Sequence, residues 1–171
     1  MKKELTRRSF LKLAGVGALA VAMSGSLTGC DVIDNLKDMD SVSAAIGDVK
    51  FMLSASVWVN NGSNGMSYQP TCEIRNNSKK AVTYGGSGSN CEVIITGVLT
   101  DKNGKEYPMT YAGEKGSAPA GKKYEVKDFK LVAVGKGLYM EGCKVVTTFT
   151  YNGKKAVFTD CDGGDFTSKV E

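Results

Sequence analysis

Between residues 49 and 60 the side chains alternate without a break. Val49, Phe51, Leu53, Ala55, Val57 and Val59 interleave with Lys50, Met52, Ser54, Ser56, Trp58 and Asn60. Successive side chains of an extended strand point to opposite faces, so this period of two collects the first set on one face. A helix of the same sequence would scatter those six around its circumference. The rest of the chain has the same grain. Clusters of Gly, Asn and Ser at 60–65, 76–78, 85–90 and 113–121 separate short β-rich segments at 68–75, 81–84, 91–100, 105–111, 123–134, 143–150 and 154–160. Turn-formers between short β-rich runs, with no long amphipathic helix among them, predict an all-β domain over 48–171.

Two turns are specific enough to set a register. In Asp101-Lys102-Asn103-Gly104-Lys105, a three-residue loop with Gly104 in the left-handed bulge position pairs Asp101 with Lys105. Leu99 then faces Tyr107, Gly97 faces Met109 and Ile95 faces Tyr111, whereas a two-residue loop would mix the faces. The same loop applied to Tyr151-Asn152-Gly153 pairs Thr150 with Lys154 and brings Cys143 opposite Cys161. A two-residue loop there would put those cysteines on opposite faces, unable to bridge.

Cys72, Cys91, Cys143 and Cys161 are four of the chain's five cysteines. An even number predicts two disulfides for a domain that reaches an oxidising compartment, with three possible connectivities. The hairpin register favours Cys143–Cys161, leaving Cys72–Cys91. None of the spacings is Cys-x-x-Cys, which argues against a zinc ribbon or a thioredoxin-like redox site.

Such a destination is what the other end of the chain implies. Thr6-Arg7-Arg8-Ser9-Phe10-Leu11-Lys12 resembles the twin-arginine export consensus, with Arg7, Arg8, Phe10 and Leu11 as its defining residues. The apolar stretch that follows, diluted by Gly15, Gly17, Ser24 and Gly25, is shorter than the roughly 20 residues of a spanning helix. It ends in Leu27-Thr28-Gly29-Cys30, which resembles a bacterial lipobox. Membership of the bacterial twin-arginine-exported lipoproteins implies a diacylglycerol on the Cys30 sulfur, cleavage before Cys30, and fatty acyl chains such as palmitate holding the mature protein on the outer face of a cell membrane. Asp31, directly after the anchor, resembles the signal that keeps such proteins on the inner of two membranes. The chain therefore divides into a signal peptide (1–29), a lipidated, acidic tether (30–47) and the β domain (48–171).

Removing the leader also changes the meaning of the charge. The formal +4 comes from 22 basic and 18 acidic residues, of which five (Lys2, Lys3, Arg7, Arg8, Lys12) and one (Glu4) precede Cys30. The mature chain keeps 22 − 5 = 17 basic and 18 − 1 = 17 acidic residues and is neutral. A polybasic nucleic-acid or lipid-binding surface is thereby excluded as the origin of the net charge.

The order of segments resembles a bacterial immunoglobulin-like antiparallel β-sandwich of about seven or eight strands. The cues are Cys72-Glu73-Ile74-Arg75-Asn76-Asn77-Ser78, the Lys-Asn-Gly-Lys hairpin, and Ala118-Pro119-Ala120-Gly121-Lys122 leading into a strand. The resemblance concerns architecture and implies loops or strand edges presented to a partner.

Catalytic machinery is sparse. The chain has no histidine, which removes the commonest general base and transition-metal ligand. Gly85-Gly86-Ser87-Gly88-Ser89 lacks the lysine and the following helix of a phosphate-binding loop. Asp160, Asp162 and Asp165 form an oxygen-rich stretch near glycines, a candidate Ca²⁺ loop or else a solvated acidic turn. Trp58 falls on the polar face of its strand, where it could stack on a sugar or a protein partner. The expectation is a membrane-anchored, extracytoplasmic, non-enzymatic binding module without a cofactor, whose partner is a protein or glycan of the cell envelope. The alternative is a solute- or metal-binding accessory of an envelope transport or redox system.

Overall fold

The computed structural model describes residues 41–171 apart from 62 and 63, and among them there is no α-helix. The signal and anchor residues Arg7, Arg8, Phe10, Leu11, Leu27, Thr28, Gly29 and Cys30 lie outside the described residues. The strands are β1 (Val42–Ile46), β2 (Val49–Asn60), β3 (Met66–Asn76), β4 (Val82–Gly86), β5 (Val93–Thr100) and β6 (Glu106–Tyr111), then β7 (Gly116–Ala118), β8 (Lys122–Val126), β9 (Leu131–Ala133), β10 (Lys144–Tyr151), β11 (Lys154–Cys161) and β12 (Phe166–Val170). β1, which the sequence places in the tether, is a member of the sheet and pairs with β2 from Val42↔Leu53 to Ile46↔Val49.

The expected all-β class is what the chain forms. Its strands join one continuous sheet in the order β1-β2-β3-β9-β6-β5-β10-β11-β12, antiparallel along that path. The two ends of the path approach one another, and Ser168 Oγ of β12 donates to the carbonyl of Ser43 in β1 at 2.9 Å. The sheet thus nearly closes into a barrel. Its wall forks once. β3 pairs with β9 at one end and β8 at the other, while β5 pairs with β6 at one end and, in parallel, with β4 at the other.

Alternation fills the inside. Phe51 and Leu53 of β2, Ile74 of β3, Ile95 and Leu99 of β5, Phe149 of β10 and Phe158 of β11 are all fully buried or nearly so. Phe149 is the hub: its ring stacks on Phe51 at 4.7 Å, meets Phe158 edge-on at 5.5 Å and lies 6.0 Å from Phe129, which in turn meets Tyr111 at 5.3 Å. Gly97 lies opposite Met109, and a Cβ there would come within 2.8 Å of the Leu131 side chain. The missing side chain makes room for that packing.

Of the two registers, one holds and one is corrected. Leu99↔Tyr107 and Gly97↔Met109 pair as expected. Gly104 is left-handed at φ 81°, and the Asp101 amide donates to the Lys105 carbonyl at 2.9 Å. The Asp101 carboxylate holds the three-residue loop by accepting from the amides of Asn103 (2.8 Å) and Lys105 (3.0 Å). The second hairpin instead has a two-residue loop, with Tyr151↔Lys154 and Lys144↔Cys161 as its terminal pairs. Asn152 and Gly153 are both left-handed, at φ 50° and 74°, the combination of a type I′ turn. Tyr151 occupies the place of Asp101 but has no carboxylate to cap a longer loop. The shorter loop also sends Ala156 and Phe158 inward, whereas the longer one would have sent Thr159 and Cys161.

Candidate functional site

The expected alternation of β2 breaks halfway. β2 and β3 pair as Ser54↔Thr71 and then as Val57↔Gln69, so β2 carries one extra residue, a β-bulge opposite Pro70. Proline has no N–H to give to the ladder, which makes this the cheapest place for the pairing to slip. The bulge reverses the faces. Val57 and Val59 now point outward, 57% and 37% exposed. Ser56 and Trp58 turn inward, and Trp58 packs against the core with its ring edge-on to Tyr68 at 5.3 Å. Trp58 is therefore half-buried on the inward face, not on the outward polar face that unbroken alternation implies.

What it turns toward is a buried carboxylate. Asp160 of β11 is 3% exposed, and its Oδ2 accepts from Ser56 Oγ at 2.5 Å and from Tyr68 Oη at 2.9 Å. Trp58 Nε1 donates to Ser56 Oγ at 3.3 Å, extending the chain of hydrogen bonds to the indole. A buried carboxyl group is costly unless hydrogen bonds satisfy it, and hydroxyls from β2 and β3 donate to it here. In the order of the sheet, β2 and β11 lie on opposite sides of the seam between β1 and β12. The cluster therefore ties the two margins of the sheet together from inside. Chemically it is a hydroxyl–carboxylate network, not a nucleophile with an imidazole base.

The three carboxylates considered for Ca²⁺ do not converge. Asp160 faces the interior, Asp162 Oδ2 accepts from the Gly142 amide at 3.0 Å, and Asp165 is exposed. Among the described residues no three His, Cys, Asp or Glu groups form a set that could hold a metal ion.

Nor are the cysteines paired. Cys72, Cys91, Cys143 and Cys161 are all free thiols, correcting the expected bridges. The type I′ turn is the reason for the last two. Cys143 continues the inward row of Val145, Thr147 and Phe149, whereas Cys161 follows the inward-facing Asp160 and points out. The Cys143 Sγ donates to the Tyr139 carbonyl at 2.7 Å. Burial pushes the Cys72 thiol well above its ordinary range, and the neighbouring Glu73 charge adds to that. Cys143 is raised as well, first by burial and then by the carboxylates of Asp101 and Asp162. The thiolate is the reactive form, so native-state alkylation is expected to mark Cys91 and Cys161 at least about tenfold faster than Cys72. A time course with peptide mapping checks this. Equal rates would mean an open barrel, and a recovered Cys143–Cys161 fragment would overturn the hairpin register.

One further feature was hidden in the segment after β9. Residues 134–143 fold over one end of the barrel, pinned by Leu138, which is 2% exposed and whose carbonyl accepts from Asn60 Nδ2 at 3.1 Å. The glycines at 135, 137 and 142 mark this stretch as a loop, but only the fold shows that Leu138 turns in while Val134 and Tyr139 stay 79% and 71% exposed.

Comparison of the chain with known protein families, with curated proteins and with solved structures returns no match, so its function rests on its own residues.

Proposed function

We propose that this protein is a lipid-anchored, extracytoplasmic binding module with no catalytic activity of its own. The observation that carries the proposal is the succession of Arg7-Arg8, the apolar stretch and Leu27-Thr28-Gly29-Cys30, placed only twelve residues (42 − 30) ahead of the first strand. In this reading the twin-arginine route exports the folded barrel, and a diacylglycerol on Cys30 keeps it on the outer face of the membrane.

The domain supports a binding role through what fills it. Phe51, Phe129, Phe149 and Phe158 meet inside the sheet, so the scaffold has its outer surface and loops to offer a protein or glycan partner. The resemblance to an immunoglobulin-like sandwich carries the same meaning: a rigid β scaffold that presents its loops. The Asp160 network serves to hold that scaffold together, and neither Ca²⁺ nor another cofactor is needed for it.

The test is substitution of the anchor. Cys30→Ser is expected to abolish lipidation, so that the protein stays uncleaved or leaves the detergent phase on partitioning, with an intact mass lacking the diacylglycerol. Replacing Arg7 and Arg8 together by lysine is expected to block export. An unchanged mature mass for Cys30→Ser ends the lipoprotein reading, and undiminished export of the double-lysine variant assigns the leader to the general secretory route.

A further inference from the structure

The geometry points to one end of the barrel, the end bearing Val134, Tyr139 and Met140, as a face that rests in the lipid surface to which the chain is tied. This inference depends on the anchoring proposed above and adds an orientation and a second membrane contact to it.

The direction of the strands supplies the orientation. β1 starts at Val42 beside Leu53 of β2 and runs toward the turn at Gly47. The chain therefore reaches β1 from the side of the barrel toward which β2 ascends. At that end lie the β2–β3 turn, the β5–β6 hairpin, the loop 134–143 and the β11–β12 turn, as the antiparallel pairings require. Asn60 bonding to the Leu138 carbonyl and Asp162 accepting from Gly142 tie three of them directly to one another.

Length then limits the distance. The twelve steps from Cys30 to Val42 span at most about 40 Å even when fully extended. β2 climbs seven residues beyond Leu53 to Asn60, about 23 Å at the rise of a strand. Even a taut chain thus leaves this rim within about 20 Å of the lipid, and a tether spanning little more than half its full length lets it touch. Presenting the opposite end would require the chain to double back before entering β1.

The rim has the chemistry for such a contact. Val134, Tyr139 and Met140 are 79%, 71% and 38% exposed, while the buried Leu138 between them fixes the loop that carries them. Exposed apolar side chains beside a tyrosine suit the boundary between headgroups and acyl chains. The exposed charges nearby include both signs, Lys102 and Lys136 against Glu141 and Asp165. Apolar insertion rather than attraction to anionic lipid is therefore the expected mode, and it should be insensitive to salt.

The experiment uses the full mature lipoprotein in vesicles of brominated phosphatidylcholine. Trp58 is the chain's sole tryptophan, so a Trp58→Phe background permits Tyr139→Trp as a probe of the rim and Lys79→Trp, in the exposed turn after β3, as a probe of the other end. Quenching of roughly twofold or more at position 139, with none at 79, is expected for a side chain reaching the headgroup–acyl boundary. In the unaltered protein, hydrogen exchange of 134–142 should slow on vesicles relative to unlipidated Cys30→Ser protein measured without vesicles, while 76–80 does not change. Protein that floats with the vesicles but leaves position 139 unquenched and 134–142 unprotected overturns the docking inference alone. Protein that carries no lipid and does not float overturns the anchoring, and the orientation falls with it.

Discussion

Phe149→Ala is expected to remove about 3–5 kcal/mol of folding free energy, the range for deleting a large aromatic from a core. The residue is fully buried on β10, and three other rings from β2, β11 and the segment before β9 converge on it. Part of the loss is transfer of the ring from water, and part is the cavity left where Phe51, Phe129 and Phe158 cannot close in. Because a domain of this size has roughly 5–15 kcal/mol in all, the variant should lie close to the edge of folding. Urea unfolding at neutral pH checks this, with Val170→Ala on the exposed face of β12 as a control expected to change stability by less than about 0.5 kcal/mol. A loss under about 1 kcal/mol for Phe149→Ala would mean that the barrel interior is not packed around this ring.

Alkaline pH is expected to have the second large effect. Burial raises the Tyr111 hydroxyl from its ordinary 10 to about 12, with smaller contributions from Cys72, Tyr124, Asp128 and Glu114. Tyr84 is raised further, by burial first and then by its hydrogen bond with Tyr124, and Cys72 is raised well above its ordinary 9.0. In each case the folded state holds its proton more tightly than the unfolded chain does. The stability these groups contribute is therefore complete below their ordinary values and is lost as pH rises through the folded ones. For Tyr111 alone, the interval from 10 to about 12 sets an upper bound of about 3 kcal/mol, which solvent near its hydroxyl reduces. Urea midpoints at constant ionic strength should be flat from pH 7 to 9, decline from about pH 9 as the Cys72 thiol becomes involved, and fall steeply above 10. Cys72→Ala should shrink the earlier part of the decline, which Cys143 shares, and leave the later one. A midpoint unchanged between pH 8 and 11 would contradict the closed interior around these three groups.

How far the residues alone could be read depended on whether the deciding interaction was local. The period of two in β2, the glycine–asparagine turns and the Asp101 loop are properties of a few neighbouring residues. All-β class and the register of the β5–β6 hairpin follow from them, but the expected seven or eight strands are twelve. The segment at 123–134 is two strands, β8 and β9, broken at the left-handed Asp128, and β1, β7 and β12 are too short or too polar to stand out as β-rich runs. The β10–β11 hairpin was misjudged because two loops sharing Asn-Gly-Lys differ one position earlier. Asp101 can cap a longer loop with its carboxylate and Tyr151 cannot, while Phe158 gains an interior place only in the shorter one. With that single-residue shift went the facing cysteines.

The candidate site was less legible, since its parts are far apart in the chain. Ser56, Tyr68 and Asp160 meet only after the sheet has curled, and Trp58 joins them only because a bulge opposite Pro70 turns the upper half of β2 around. Pro70 inside a strand was the one available signal. By itself the sequence determined the export and anchoring signals as an expectation, the balance of charge from residue 30 onward, the absence of histidine and the β class, because each is composition or short-range pattern. The closure of one sheet into a near-barrel, the inward turn of Trp58, the separation of Cys143 from Cys161 and the apolar rim around Leu138 were decided by tertiary structure. Each depends on which distant strand lies alongside, and a period of two is satisfied equally well by either face until a partner fixes which one is buried.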